Sequence, residues 1–256
     1  MPTLRELTEY HKPATIDEAV KLLRRRKMVT RPIGGGTALV PDASPEVQAV
    51  VDLSQLGLAY IKPTDAGLEI GATTTLQTLI DDAQVQAYAD GVVVKAILDT
   101  ASRNTREAAT FAGSIVASDG KSPLLATLFA LGAQLTIRSL RTQTVPLEEF
   151  SPQADTLILS VTLPALPADA HAAYEKVART PADLPIVCVA ALKTADVTRL
   201  ALGGVGEQMV VIDAESPTIE EAVELAQASI EPPTDYFASG DYRREMIGVL
   251  VKRVLA

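Results

Sequence analysis

Three consecutive glycines, Gly34-Gly35-Gly36, sit between Arg31-Pro32-Ile33 and Thr37-Ala38-Leu39-Val40 near the start of this chain. Glycine loses more conformational freedom on ordering than any other residue, so a triplet does not belong inside a helix or strand. It permits a turn with φ > 0 and lets a ligand approach with no Cβ in the way. Successive bare N–H groups in such a turn form a nest for an anion. Met28-Val29-Thr30-Arg31 just before it begins a strand. The stretch therefore predicts a strand running into a phosphate cradle, against the plainer reading of a surface turn. A second glycine turn, Thr110-Phe111-Ala112-Gly113-Ser114, favours the cradle.

The remaining elements fit around these two turns. Leu4–Tyr10 is a short strand or lead-in. Thr15 caps a helix, with Glu18 as its capping-box partner, and Ile16, Ala19, Val20, Leu22 and Leu23 form its buried stripe. Val47–Leu53 reads as a strand. Ala59–Ile61 and Leu68–Ile70 read as a hairpin around Pro63–Gly67. Helices are predicted over Leu76–Ala83, Val92–Ser102 and Ser122–Gly132, the last with Ser122 as cap and Pro123 at its first position. Ala133–Arg138 and Leu157–Leu163 read as strands. The proline pair in Pro164-Ala165-Leu166-Pro167 marks a domain boundary. Beyond it come three antiparallel strands, His171–Ala178, Pro185–Lys193 and Val197–Gly203. Two amphipathic helices follow, Thr218–Ala228 and Gly240–Leu255.

Several chemistries are excluded. The dinucleotide fingerprint lacks its third glycine, because Leu39 stands there. Gly120-Lys121-Ser122 ends like a phosphate loop, but Ile115 occupies the first glycine position. His11 and His171 stand in no catalytic spacing, and no Gly-x-Ser-x-Gly elbow occurs. The single cysteine, Cys188, supports neither an internal disulfide nor a metal cluster held by this chain alone. A net charge of −9 speaks against nucleic acid. No apolar run of about 18 residues predicts a membrane span, and the N-terminus lacks a signal-peptide core, so the protein is expected in the cytoplasm. Two glycine turns without acid–base apparatus suit a bound redox cofactor that brings its own chemistry.

The chain resembles the FAD-binding medium subunit of the molybdenum hydroxylases, the xanthine dehydrogenase and carbon monoxide dehydrogenase family. The opening Tyr10–Leu23 matches its first helix, and Pro32–Leu39 its first flavin loop. Val51-Asp52-Leu53, Ile70–Leu76, Arg103-Asn104 and Thr110–Ile115 follow in the family's order. Ala173–Arg179 with Asp183, Leu202–Gly206 and Phe237–Arg244 resemble its C-terminal domain. The resemblance implies an α+β chain: a PCMH-type FAD-binding fold of two α/β subdomains and a C-terminal domain with a three-stranded antiparallel sheet and helices. The flavin domain would span 1–165, with subdomains of about 1–55 and 56–165, and the C-terminal domain 168–256. It implies FAD on this chain, molybdopterin on a large partner subunit and [2Fe-2S] clusters on a small one, with a homodimer of that hetero-oligomer as a further expectation.

The same resemblance implies the site. Gly34, Gly35, Gly36 and Thr37, flanked by Ile33 and Ala38, would hold the pyrophosphate through backbone N–H groups. A valine at 35 would stand where that pyrophosphate lies. Thr110, Ala112, Gly113 and Ser114 would approach from the second loop. Thr74 and Asp119 would bond phosphate, ribose or ribityl oxygens, Ile158 and Leu159 would pack on the flavin ring, and Lys176 would lie near its carbonyl edge. No catalytic residue and no metal ligand are expected. The family's second loop usually reads Gly-Gly-Asn, so Ala112 adds a Cβ and Ser114 a shorter polar group. A flavin-free scaffold that keeps the fold, and a stand-alone flavoprotein oxidoreductase, are the competing expectations.

Overall fold

In the computed structural model, which describes residues 4, 6–42, 45–181 and 183–256, strands and helices alternate at the start of the chain and then give way to a run of strands and a run of helices. In order these are β1 (Glu9–His11), α1 (Ile16–Leu23), β2 (Thr30–Ile33), α2 (Leu39–Asp42), β3 (Ala49–Asp52), β4 (Ile61–Thr64) and β5 (Gly67–Gly71). Then come α3 (Leu76–Asp81), α4 (Ala83–Ala87), α5 (Val92–Thr100), α6 (Arg103–Ala108), α7 (Phe111–Val116) and α8 (Pro123–Ala130). Strands β6 (Gln134–Arg138), β7 (Thr142–Pro146), β8 (Leu157–Pro164), β9 (His171–Val177), β10 (Val187–Lys193), β11 (Val197–Gly203) and β12 (Val210–Glu215) precede α9 (Ile219–Ala228) and α10 (Gly240–Leu255).

One compact unit holds the residues up to Leu79, Ser102–Ala117 and Gln134–Pro164. Its first sheet is parallel, with β3 between β1 and β2. β3 is buried along its length, as the central strand of a covered parallel sheet should be. Thr15 caps α1 by accepting from Glu18 N at 3.2 Å. Glu18 returns to Ala14 N rather than to the cap itself. Ala19, Val20 and Leu23 of α1 pack with Val51, Leu53 and Leu157. Asp52 closes β3. Burial would raise its pKa, but the Tyr10 hydroxyl, Ser54 and Lys12 outweigh it and hold the carboxyl at about 2, against an ordinary 3.8. The second sheet is antiparallel, in the order β4-β5-β8-β6-β7. The expected hairpin sits further along, so that Pro63 pairs with Leu68 instead of lying in the turn.

The other unit holds Ile80–Ala101, Ser118–Ala133 and the residues from Ala165 on. Its sheet has four antiparallel strands, β12-β11-β10-β9, one more than the three expected. The addition is β12, reached through a tight return that pairs Leu202 with Val210. Gly204 makes that return possible. It holds φ at +78°, and a Cβ there would lie 2.1 Å from Ile186 O. Helices α9 and α10 bury Ala222, Ala226, Ile247, Leu250 and Val251 against Val187, Val189, Leu200 and Leu202. Arg243 on α10 is fully buried. It donates to Ile186 O at 2.6 Å and Gly204 O at 2.9 Å, and it grips both Asp235 oxygens at 2.7 and 2.8 Å.

Candidate functional site

The first unit contains a cleft of about 560 Å³ with the glycine turn as one wall. β2 delivers the chain to Gly34, and α2 leads it away. The carbonyls around the turn are used: Ile33 O accepts from Leu53 N, Gly36 O from Val40 N and Ala38 O from Asp42 N, at 3.0, 3.0 and 3.1 Å. The donors are not. Among the described residues, no N–H from Gly34 to Ala38 has a protein acceptor. Five successive amides are thus left for solvent or a ligand, the condition for an anion nest. Gly36 adopts φ +70°, a conformation that side-chain-bearing residues rarely hold.

Gly34 and Gly35 serve a different need from the one expected. A Cβ on Gly35 would lie 1.6 Å from Ala108 O, and one on Gly34 would lie 2.8 Å from Thr110 Oγ1. The missing side chain of Gly35 therefore admits the backbone between α6 and α7, where the sequence alone had suggested it admits the ligand. The turn is packed against that junction.

The second glycine segment is not a turn. It is α7, whose start Thr110 caps by accepting from Gly113 N at 3.3 Å. The other donors at this end are also engaged: Phe111 N with Thr74 O, Ala112 N with Ala72 O and Ser114 N with Thr110 O. Phe111 and Ile115 are buried and hold the helix in place. Thr110, Ala112 and Gly113 line the cleft; Ser114 does not. This wall contributes shape rather than free amides.

The remaining expected residues divide. Ile33, Thr37, Ala38 and Ile158 line the cleft with the three glycines. Leu159, next along β8, is not among the lining residues; it is the residue skipped at the register shift against β6, where Thr136 pairs with Ser160 and Ile137 with Ile158. It packs against the α1 cluster. Thr74 is 2% exposed. Its hydroxyl accepts from Tyr60 N at 3.1 Å and donates to Tyr60 O at 3.0 Å. Asp119 and Lys176 belong to the second unit. Asp119 accepts from Lys121 N, while Lys176 pairs with Asp99 at 3.3 Å and donates to Pro181 O at 2.9 Å.

The cleft also has walls that the sequence reading missed. Phe150, Pro152, Gln153, Ala154 and Thr156 line it from the loop that enters β8, Arg31 from β2 and Asp42 from the last position of α2. Ser151-Pro152-Gln153-Ala154-Asp155 is a turn-forming run at the head of a buried strand, where ligand-binding loops concentrate. Arg31 and Asp42 are the ionisable side chains among the described lining residues. The walls are otherwise apolar, with Ile33, Leu39, Leu53, Val116 and Leu157 among them. Such a cleft can seat a long ligand with an anionic middle and an apolar ring. Among the described lining residues Asp42 is the one carboxylate, and there is no histidine.

Comparison with known proteins matches two family models to consecutive segments of the chain. The model of the FAD binding domain in molybdopterin dehydrogenase matches residues 5–166, and that of the CO dehydrogenase flavoprotein C-terminal domain matches 172–256. The carbon monoxide dehydrogenase medium chain of Afipia carboxidovorans is 25% identical over 96% of this chain and 95% of its own length. The 6-hydroxypseudooxynicotine dehydrogenase complex subunit alpha of Paenarthrobacter nicotinovorans is 27% identical, covering 94% and 91%. Among solved structures, reconstituted CO dehydrogenase from Oligotropha carboxidovorans superposes with a TM-score of 0.87. It is 25% identical and covers all of this chain and 98% of the matched one. Among the described residues, no helix is long and apolar enough to cross a membrane.

Proposed function

The chain belongs to the family of FAD-binding subunits of molybdopterin dehydrogenases, and we propose that it passes electrons from molybdenum and [2Fe-2S] centres on partner chains to an acceptor. The observation that carries this reading is the run of free amides from Gly34 to Ala38 in an apolar-walled cleft. It lies inside the segment that matches the FAD domain. The residues fit the group: the nest suits a diphosphate, and the apolar walls suit a ring system. FAD, when bound, supplies the redox chemistry. This chain binds, orients and shields it. Gly34, Gly35, Gly36 and Thr37 would hold the diphosphate through their amides, flanked by Ile33 and Ala38. Ala112 and Gly113 would close the facing wall, Ile158 would offer an apolar surface, and Thr110 would hold α7 in register behind Gly34.

Relatives described as medium chains and as a complex subunit support partner chains here: a large molybdopterin subunit and a small [2Fe-2S] subunit. Their names carry different substrates, carbon monoxide and 6-hydroxypseudooxynicotine. Substrate chemistry is assigned to a partner chain on the strength of those names. The visible spectrum of the purified chain tests the proposal, with extraction and identification of any flavin. Stoichiometric FAD is expected. A colourless protein that takes up no FAD on reconstitution overturns the reading in favour of a flavin-free scaffold.

A further inference from the structure

Arg31 lines the cleft from β2, the strand that runs into the glycine turn. Alternation along β2 puts it on the same face as Ile33, another lining residue. Its guanidinium makes one hydrogen bond, to Thr30 O at 3.3 Å, and has no carboxylate partner among the described residues. A guanidinium carries five donors in a planar fork that matches phosphate oxygens, so most of this fork is unused. Asp42, the other ionisable lining residue, adds a negative charge to the same cleft. Backbone amides offer only partial charges against a diphosphate, so the balance calls for a full cation.

We propose that Arg31 is the side chain that reads the diphosphate, so that the cleft discriminates between a flavin dinucleotide and a flavin without phosphate. This rests on the FAD reading above. The test uses the full-length chain stripped of flavin, titrated with FAD, ADP and riboflavin at low and high salt. Arg31→Gln should weaken FAD and ADP by roughly ten- to a hundredfold, as expected for a lost charged hydrogen bond. It should leave riboflavin unchanged and reduce the salt dependence of FAD binding. Arg31→Lys keeps the charge but not the fork, so it should fall between wild type and Arg31→Gln. It also carries the test should Arg31→Gln fail to fold. Wild-type affinity for FAD and ADP in the variants overturns the proposal. So does an equal loss for riboflavin, which would make Arg31 a structural residue. Wild-type protein that takes up no FAD at all would instead bring down the parent reading.

Discussion

Gly35→Ala isolates the close approach inside the glycine turn. The backbone at Gly35 is not in the left-handed region, so alanine meets no torsional objection there. Space is the whole issue. The new Cβ would lie 1.6 Å from Ala108 O, 2.4 Å from Ala108 C and 3.2 Å from Ala109 N. These are backbone atoms, with no flexible side chain to swing aside. Either the turn or the α6–α7 junction must move by more than an ångström to reach ordinary contact. Overpacking costs about 1–3 kcal/mol when side chains can adjust, and occasionally more; a backbone partner argues for the upper end. For a chain of this size, about 3 kcal/mol corresponds to a fall in Tm of roughly 6–12 °C. The junction leads into Thr110, which caps α7, so the cleft wall should shift and FAD content should fall with stability. Thermal unfolding by circular dichroism and the flavin-to-protein absorbance ratio measure both. Gly206→Ala is the control, because its Cβ would meet only Gln208 O at 3.7 Å. A Gly35→Ala protein with wild-type Tm would refute the packing argument. Lowered FAD content with unchanged Tm would restore the simpler view that Gly35 only makes room for ligand.

Three further outcomes follow from named contacts. Asp52 has a folded pKa of about 2 against an ordinary 3.8, so its stabilising contribution is full above about pH 4 and is lost as pH falls through about 2. Tyr10→Phe removes a 2.6 Å hydrogen bond to that carboxylate and should raise the pKa and weaken acid stability in this window; an unchanged acid-unfolding profile would count against it. Arg243→Met deprives Ile186 O, Gly204 O and Asp235 of their shared donor. It should lower Tm well beyond Arg244→Met, whose parent side chain donates to Ile230 O, and equal Tm values would contradict that. Lys176→Met tests whether its ammonium tunes bound flavin. The family resemblance implies a lower midpoint potential in the variant, reduced in size because Asp99 pairs with the ammonium at 3.3 Å; identical potentiometric titrations would confine Lys176 to its ion pair.

What could be read from the sequence were the elements with their own local signals. Thr15 and Ser122 announce their helices through caps, and the structure uses both hydroxyls as such. The strands around Val51 and Val161 show as apolar runs and are buried. The missed elements carry weaker signals, α6 a lone cap at Ser102 and β12 the short run Val210-Val211-Ile212. α6 is six residues, Arg103–Ala108, with none buried. β7 is an exposed edge strand that ends in Pro146. β12 follows a glycine-rich return and reads as its continuation until Val210 is seen opposite Leu202. For the two strands, tertiary pairing, absent from any local window, supplies the stabilisation.

The glycines carry the same lesson one level down. A glycine in a sequence says that no Cβ is wanted, not what takes its place. Gly34 makes room for the Thr110 side chain, Gly35 for the Ala108 carbonyl, and Gly36 for a left-handed turn. None of the three reasons is the ligand itself, yet together they set five amides free along one wall of the cleft. The second segment inverts this arrangement. Gly113 leaves space for the capping hydroxyl of Thr110, which its Cβ would meet at 2.6 Å, and every donor from Phe111 to Ser114 is already bonded. Ala112 in place of the family's glycine therefore costs the site no amide, because its own N–H belongs to Ala72 O. The departure alters only the surface that α7 presents. Affinity for the diphosphate should accordingly depend on the first turn and Arg31, and tolerate change in the second segment as long as Thr110 keeps its cap.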